Sequence, residues 1–172
     1  IVAFIGIAVC AFSTNPNAAA RGGKMPCYAI HWRCGEHSIL RSPGVERMRD
    51  WEALVDDDEN VPLIWDKPMA LISGNGGGKW YNFNIHGYYK DEDDYRHVLV
   101  SGTTRPLAFY QLHAQHAESA AQFEIADAQN VNVYGAKGEG VSCFGLVRRS
   151  KNVNIFGHSG WINAPAGSAL FI

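Results

Sequence analysis

The chain has little surplus charge, few cysteines, and no apolar run long enough to cross a bilayer, and each shortage removes a class of function. Net charge is −2, with 15 Lys and Arg against 17 Asp and Glu. That balance provides no electrostatic footprint for nucleic acid or an anionic membrane, so neither is expected as a partner. The basic cluster Arg148-Arg149-Ser-Lys151 is short enough to be a solvated turn. The most apolar run, Ile1 to Phe12, is too short for a transmembrane helix. With Ala18-Ala19-Ala20 behind it, this run has the outline of a secretory signal, but no basic segment precedes it. The reading adopted is a pair of strands in a coil of the fold. Four cysteines, Cys10, Cys27, Cys34 and Cys143, match no zinc spacing. Cys27 and Cys34 are either a disulfide of a secreted protein or free, buried thiols.

Motifs for common cofactors are also missing. Gly74-Asn-Gly-Gly-Gly78 lacks the Gly-Lys-(Ser/Thr) ending of a phosphate loop and no helix follows it, so it reads as a tight turn. Asp56-Asp-Asp-Glu59 lacks the spaced ligands of a calcium loop. No segment after Trp80 has the amphipathic helical stripe that a doubly wound α/β domain needs. No cofactor and no metal are expected.

What the chain does have is a repeat. Gln122-Phe-Glu-Ile-Ala-Asp-Ala-Gln-Asn-Val-Asn-Val-Tyr-Gly135 resembles Cys143-Phe-Gly-Leu-Val-Arg-Arg-Ser-Lys-Asn-Val-Asn-Ile-Phe-Gly157. Their Asn-Val-Asn cores begin at Asn130 and Asn152, 22 residues apart. Each unit contains two alternating strands joined by a polar turn, with glycine after the second. The pattern extends backwards through Ala70-Leu-Ile72 and His97-Val-Leu-Val100 and forwards to Ala169-Leu-Phe-Ile172. First strands are placed at Leu71, Val98, Phe123, Phe144 and Leu170. Repeats of this length with two short strands each predict a solenoid: an all-β, right-handed parallel β-helix. One such segment is expected over 1–172, with a non-repeat insertion at about 43–66, where Val45 to Val55 has some helical character. The chain opens without Met and stops within an apparent strand, whereas solenoids carry caps. The expectation is an uncapped internal piece of a longer protein, whose remainder would be a partner of this segment.

Three groups could carry chemistry. In Asp91-Glu-Asp-Asp-Tyr-Arg-His97, clustered carboxylates raise one another's pKa and the neighbouring aromatics offer faces for sugar rings; the plain alternative is an exposed acidic loop. Tyr110-Gln-Leu-His-Ala-Gln-His-Ala-Glu118 places Tyr110, His113, His116 and Glu118 along one coil edge. Lys137-Gly-Glu-Gly140 presents Glu139 between two glycines that let a ligand approach. Glu124, alternating with Phe123 and Ile125, should point away from the core and could pair with Glu139. Two carboxylates about 5–10 Å apart suit glycoside hydrolysis.

Several stretches resemble the pectate-lyase-like right-handed β-helix proteins, and within them the branch containing glycoside hydrolase family 55 β-1,3-glucanases. They are Leu71-Ile-Ser-Gly-Asn-Gly-Gly-Gly-Lys-Trp-Tyr-Asn-Phe83, Tyr95-Arg-His-Val-Leu-Val100, Pro106-Leu-Ala-Phe-Tyr-Gln-Leu112 and Asn130-Val-Asn-Val-Tyr-Gly-Ala-Lys-Gly-Glu-Gly140. Thr14-Asn-Pro-Asn17 and Ala29-Ile-His-Trp32 also fit such a coil. These motifs encode coils and turns more than chemistry. The resemblance implies a secreted enzyme acting on an extended polysaccharide, by a carboxylic acid in hydrolases and by a basic side chain, often with calcium, in lyases. The clustered calcium-binding Asp residues of pectate lyases are not visible here. The leading expectation is a polysaccharide hydrolase with Glu139, Glu118 and Glu124 as candidate catalytic groups. Tyr110, His113, His116, Tyr134, Lys137 and Trp161 are the candidate substrate contacts, with the two tyrosines and Trp161 as stacking platforms. A non-catalytic β-helix, such as an adhesin or structural module, is the alternative. A lyase using His113, His116 or Lys137 as base is the third reading.

Overall fold

A computed structural model describes residues 2–5, 8–12, 28–48, 68–86, 93–163 and 171. Among them every regular element is a strand: β1 (Ala3–Ile5), β2 (Ala8–Phe12), β3 (Ile30–Trp32), β4 (Ile39–Arg41), β5 (Gly44–Met48), β6 (Ala70–Ser73), β7 (Gly78–His86), β8 (Val98–Ser101), β9 (Leu107–Gln115), β10 (Ala121–Ala126), β11 (Gln129–Lys137), β12 (Cys143–Arg148) and β13 (Lys151–Ser159). All pairings are parallel and join strands of successive coils. One sheet stacks β3, β6, β8, β10 and β12; the other runs β1, β4, β7, β9, β11, β13, with β2 and β5 continuing the split strands of the first two levels. Each coil lays a short strand in the first sheet, turns, and lays a long strand in the second. This is a parallel β-helix, in which the core is buried by stacking coil on coil.

The register explains the repeat. Val131 lies on Val153 and Val133 on Ile155, which is the 22-residue spacing of the Asn-Val-Asn cores. Outward-pointing partners continue the match: the Asn130 side chain accepts from Asn152 at 2.7 Å and that of Asn132 from Asn154 at 2.9 Å. Inward, Ala70, Val98 and Phe123 form one column and Ile72, Val100 and Ile125 another, all buried.

Two of the expected alignments are one residue out. Leu71 pairs with Leu99, not Val98, because Leu71 and Leu99 are only half-buried on the outer face while Val98 is in the core. A shift of one residue would exchange the two faces. Phe123 pairs with Gly145, not Phe144, and Gly145 in turn bridges to Phe171, keeping the 26-residue offset expected between Phe144 and Leu170. Gly145 lies between two rings: an added Cβ would come within 3.0 Å of Phe171 and 3.3 Å of Phe123. The room it leaves lets the Phe144 ring pack 6.1 Å from Phe123 and 5.5 Å from Phe171.

An aromatic spine runs through the centre. Ring centroids are 5.5 Å apart for Trp32 and Trp80, 5.4 Å for Trp80 and Phe109, and 6.0 Å for Phe109 and Phe123, all edge to face. Each fully buried large side chain contributes about 1.5–3 kcal/mol of transfer free energy. Two columns of left-handed residues turn the coils. Ser42, Asn82, Gln111, Gly135 and Gly157, at φ 50° to 75°, each follow residues that lie in register, Arg41, Tyr81, Tyr110, Tyr134 and Phe156. Gly74, Gly102, Asp127 and Arg149 do the same at the turn between the two sheets. A left-handed non-glycine costs about 1–2 kcal/mol. In the second column Arg149 donates to Asp127 at 2.7 Å through both Nε and Nη2, offsetting part of that cost.

The expected strand pair at the N-terminal apolar run is present as β1 and β2, parallel to β4 and β5. The expected insertion begins too early. Gly44–Met48 is strand β5, paired with β2 and β7, so the helical character read from Val45 onward does not hold there. The rest of the expected insertion lies outside the described residues. The glycine run is a tight turn, closed by Gly76 N–H donating to Ser73 O at 2.9 Å. Cys34 and Cys143 are not joined to each other by a disulfide.

Candidate functional site

The C-terminal ends of β9, β11 and β13 bring five of the expected site residues together. His113 stands in register with Lys137, and Lys137 with Ser159. Alternation then carries Glu139 to the same outer face. Lys137 Nζ lies 2.9 Å from Glu139 Oε1, and His116 Nε2 lies 3.7 Å from Oε2. The His116 backbone N–H donates to Glu139 O at 2.8 Å, and Gly140 N–H to Trp161 O at 3.2 Å. The three coil ends are thus tied together by their main chains.

The glycines flanking Glu139 are there for space. A Cβ at Gly140 would sit 3.1 Å from the His116 Cα, and one at Gly138 would overlap the Phe144 ring at 2.1 Å. Glu139 is held between two points that admit no side chain. His116 is itself in the left-handed region, φ 64°, and buried, which turns its ring towards Glu139 and edge-on to Trp161 at 6.4 Å.

Beside this cluster is an open cleft of about 240 Å³ lined by His116, Glu118, Gly140, Val141, Trp161 and Asn163. Its size suits about one sugar ring, below the roughly 300–1,000 Å³ of enclosed small-molecule sites. Trp161 and Val141 are about half exposed, and Glu118 lies on the rim. A flat apolar ring beside carboxylates and a histidine can stack on a sugar and hydrogen-bond its hydroxyls. His113 is held below its ordinary pKa by burial first and by the Lys137 charge second, so near neutral pH it is an uncharged imidazole.

Other expected members are elsewhere or in another state. Glu124 does point away from the core, as its alternation requires, yet it is almost wholly buried. Its Oε2 accepts from Arg96 Nε at 2.9 Å and its Oε1 from Arg148 Nε at 2.9 Å. It belongs to a different sheet and a different charge network from Glu139, and the pair of carboxylates expected from these two is not formed. Tyr110 and Tyr134 are not stacking platforms. They sit in a ladder, with Tyr81–Tyr110 centroids 4.8 Å apart, Tyr110–Tyr134 5.0 Å and Tyr134–Phe156 5.1 Å, at interplanar angles of 7° to 13°. Their faces cover one another and leave only edges and hydroxyls outward.

The acidic stretch 91–97 divides. Asp93 and Asp94 are exposed, whereas Tyr95, Arg96 and His97 are buried, and 91–92 lie outside the described residues. Tyr95 offers no face to a sugar: His97 Nε2 reaches Gln115 O at 2.7 Å and so carries the proton, and the Tyr95 hydroxyl donates to Nδ1 at 2.8 Å. Val141 and Asn163 complete the cleft and had no signal in the sequence, since a lone valine and a lone asparagine are unremarkable until the coils are stacked. Among the described residues no group of three or more His, Cys, Asp or Glu is placed to hold a metal ion. No protein-family model, no curated protein and no solved structure matches the chain.

Proposed function

We propose that this β-helix belongs to a carbohydrate-active enzyme, a glycoside hydrolase that works outside the cell on an extended polysaccharide. The observation that carries the reading is Glu139, fixed between two glycines, ion-paired to Lys137 and His116, and beside a cleft with Trp161 and Glu118. The Lys137 ammonium, 2.9 Å away, favours the carboxylate anion, the form that acts as base or nucleophile. Glu118, on the rim, supplies the proton. As the glycosidic C–O bond breaks, that proton goes to the departing oxygen, and the anomeric carbon takes up either water, whose proton passes to Glu139, or the Glu139 oxygen itself, forming an ester that water then cleaves as its proton returns to Glu118 and the Glu139 carboxylate is released. Trp161 holds the ring, while His113 and His116 offer hydrogen bonds to hydroxyls. The glycan would lie along the stacked coils, and the remainder of the parent chain would continue the solenoid.

Reducing-sugar release from a polysaccharide panel by the intact parent protein, with and without chelator, tests this. Chelator-insensitive release of saturated products supports hydrolysis. Unsaturated products would replace it with a lyase, for which uncharged His113 beside Lys137 is the fitting base. No release from any glycan would leave a non-catalytic module that uses the Trp161 cleft for binding.

A further inference from the structure

A second hollow lies at the opposite end of the long strands, where the coils turn from the first sheet into the second. It has a volume of about 370 Å³ and is lined by Arg33, Glu36, His37, Ser38, Asn75 and Arg105, with Gly35 at its edge. Three successive coil turns contribute: 33–38, 74–78 and 102–106. We propose that this hollow binds a tetrahedral oxyanion, a sulfate or phosphate group, either free or as an ester on a sugar.

The two arginines supply the charge. Arg33 is exposed, and its guanidinium lies over Gly74, where a Cβ would meet Nε and Nη2 at 3.4 Å. Among the described residues it has no hydrogen bond or ion pair. Arg105 has only Glu36, at 3.8 Å, a distance longer than a charge-assisted hydrogen bond. His37 is equally loose, 3.7 Å from the same carboxylate. The lining thus holds two guanidiniums and an imidazole against the one carboxylate of Glu36, and the local balance favours an anion.

Ser38 lines the hollow and adds a hydroxyl that can donate to an anion oxygen. Asn75, on the tip of the glycine turn, adds an amide that can donate.

The glycine run positions these groups rather than binding the anion itself. Gly76 N–H donates to Ser73 O, Gly77 N–H to Cys34 O and Gly78 N–H to Pro106 O, at 2.8 to 2.9 Å, so none points into the hollow. A Cβ at Gly77 would press on Arg105 Cβ at 2.8 Å and on Glu36 Cα at 3.3 Å. The absence of side chains there lets the Arg33 and Arg105 turns close on each other. The arginines come from turns two coils apart, at about 4.8 Å per level, and approach from different sides. A tetrahedral group presents oxygens to both, whereas a carboxylate presents two on one side.

The test is titration of the protein with sodium sulfate, a monosaccharide sulfate ester and glucuronate, at constant ionic strength to remove general screening. Binding would be read by calorimetry and by amide chemical shifts. Saturable binding of sulfate or its ester is expected, weakened at least tenfold by Arg33→Gln and by Arg105→Gln and more weakly by Ser38→Ala. All three variants should keep the wild-type melting temperature to within a few degrees, because both arginines are exposed. Saturation by the ester and not by free sulfate would assign the site to a sulfated sugar; the reverse would assign it to the free ion. Either result supports the site. No saturable binding, binding unchanged in Arg33→Gln, or glucuronate bound as tightly as sulfate would overturn the proposal.

Discussion

Arg96 Nε and Glu124 Oε2 are 2.9 Å apart across two coils, with both side chains only 4% exposed, and Arg148 closes on the other carboxylate oxygen. Position 124 had an outward orientation legible in its alternation, but its partners come from segments 28 and 24 residues away. Only the stacked register reveals them.

Removing this carboxylate should leave buried Arg96 uncompensated. Loss of one partner of a buried pair costs about 3–5 kcal/mol, so Glu124→Gln should lower the unfolding midpoint strongly in urea. Arg148 is half exposed, and Arg148→Gln should cost far less. Equal losses in the two variants would contradict the assignment of Arg96 as the buried partner.

The ring ladder gives a second expectation. Tyr110 stacks on two neighbours, and each aromatic pair adds about 0.5–1.5 kcal/mol beyond its buried area. Tyr110→Ala should therefore destabilise the coils by about 1–3 kcal/mol while leaving affinity for oligosaccharides nearly unchanged per folded molecule. Trp161→Ala should do the opposite. A loss of affinity in Tyr110→Ala as large as that in Trp161→Ala would return the ladder to the binding site.

His158 provides the pH dependence. Burial lowers its pKa below 6.5, its ring lies 5.0 Å from Phe144 and 6.0 Å from Phe171, and its Nε2 has no hydrogen-bond partner. With a folded pKa below the unfolded one, both states are neutral above about pH 7 and the group leaves stability unchanged. As pH falls through 6.5 the unfolded chain takes up the proton first, so stability drops until the folded pKa is passed. His113 has the same sign. Thermal melts between pH 7.5 and 5 should show this decline, and His158→Phe should flatten part of it. An unchanged slope in His158→Phe would contradict the burial of that ring.

How much could be read before folding differed between the architecture and the site. The Asn130 and Asn152 cores announced the solenoid because a stacked coil repeats its outward ladder as well as its core. Of the bend column only Gly135 and Gly157 showed themselves, since Ser42, Asn82 and Gln111 share the conformation without a residue type that marks it. Gly145 misled the alignment by replacing a core side chain that Phe144 then fills from the next position. At the site, the Lys137-Gly-Glu-Gly140 loop stood out in the sequence, but its glycines were read as room for a ligand, whereas Gly138 makes room for the Phe144 ring and Gly140 for His116. The burial of Glu124 and the covered faces of Tyr110 and Tyr134 were not legible, because each depends on what the adjacent coil places above and below.

The central claim is that Glu139, and not Glu124, is the working carboxylate. The most direct measurement compares reducing-sugar release by Glu139→Gln and Glu124→Gln, each normalised to its folded fraction. The account predicts release lowered at least a hundredfold in Glu139→Gln with the melting temperature nearly kept, and activity per folded molecule retained in Glu124→Gln. Full activity in Glu139→Gln, or activity lost in a stably folded Glu124→Gln, would contradict it.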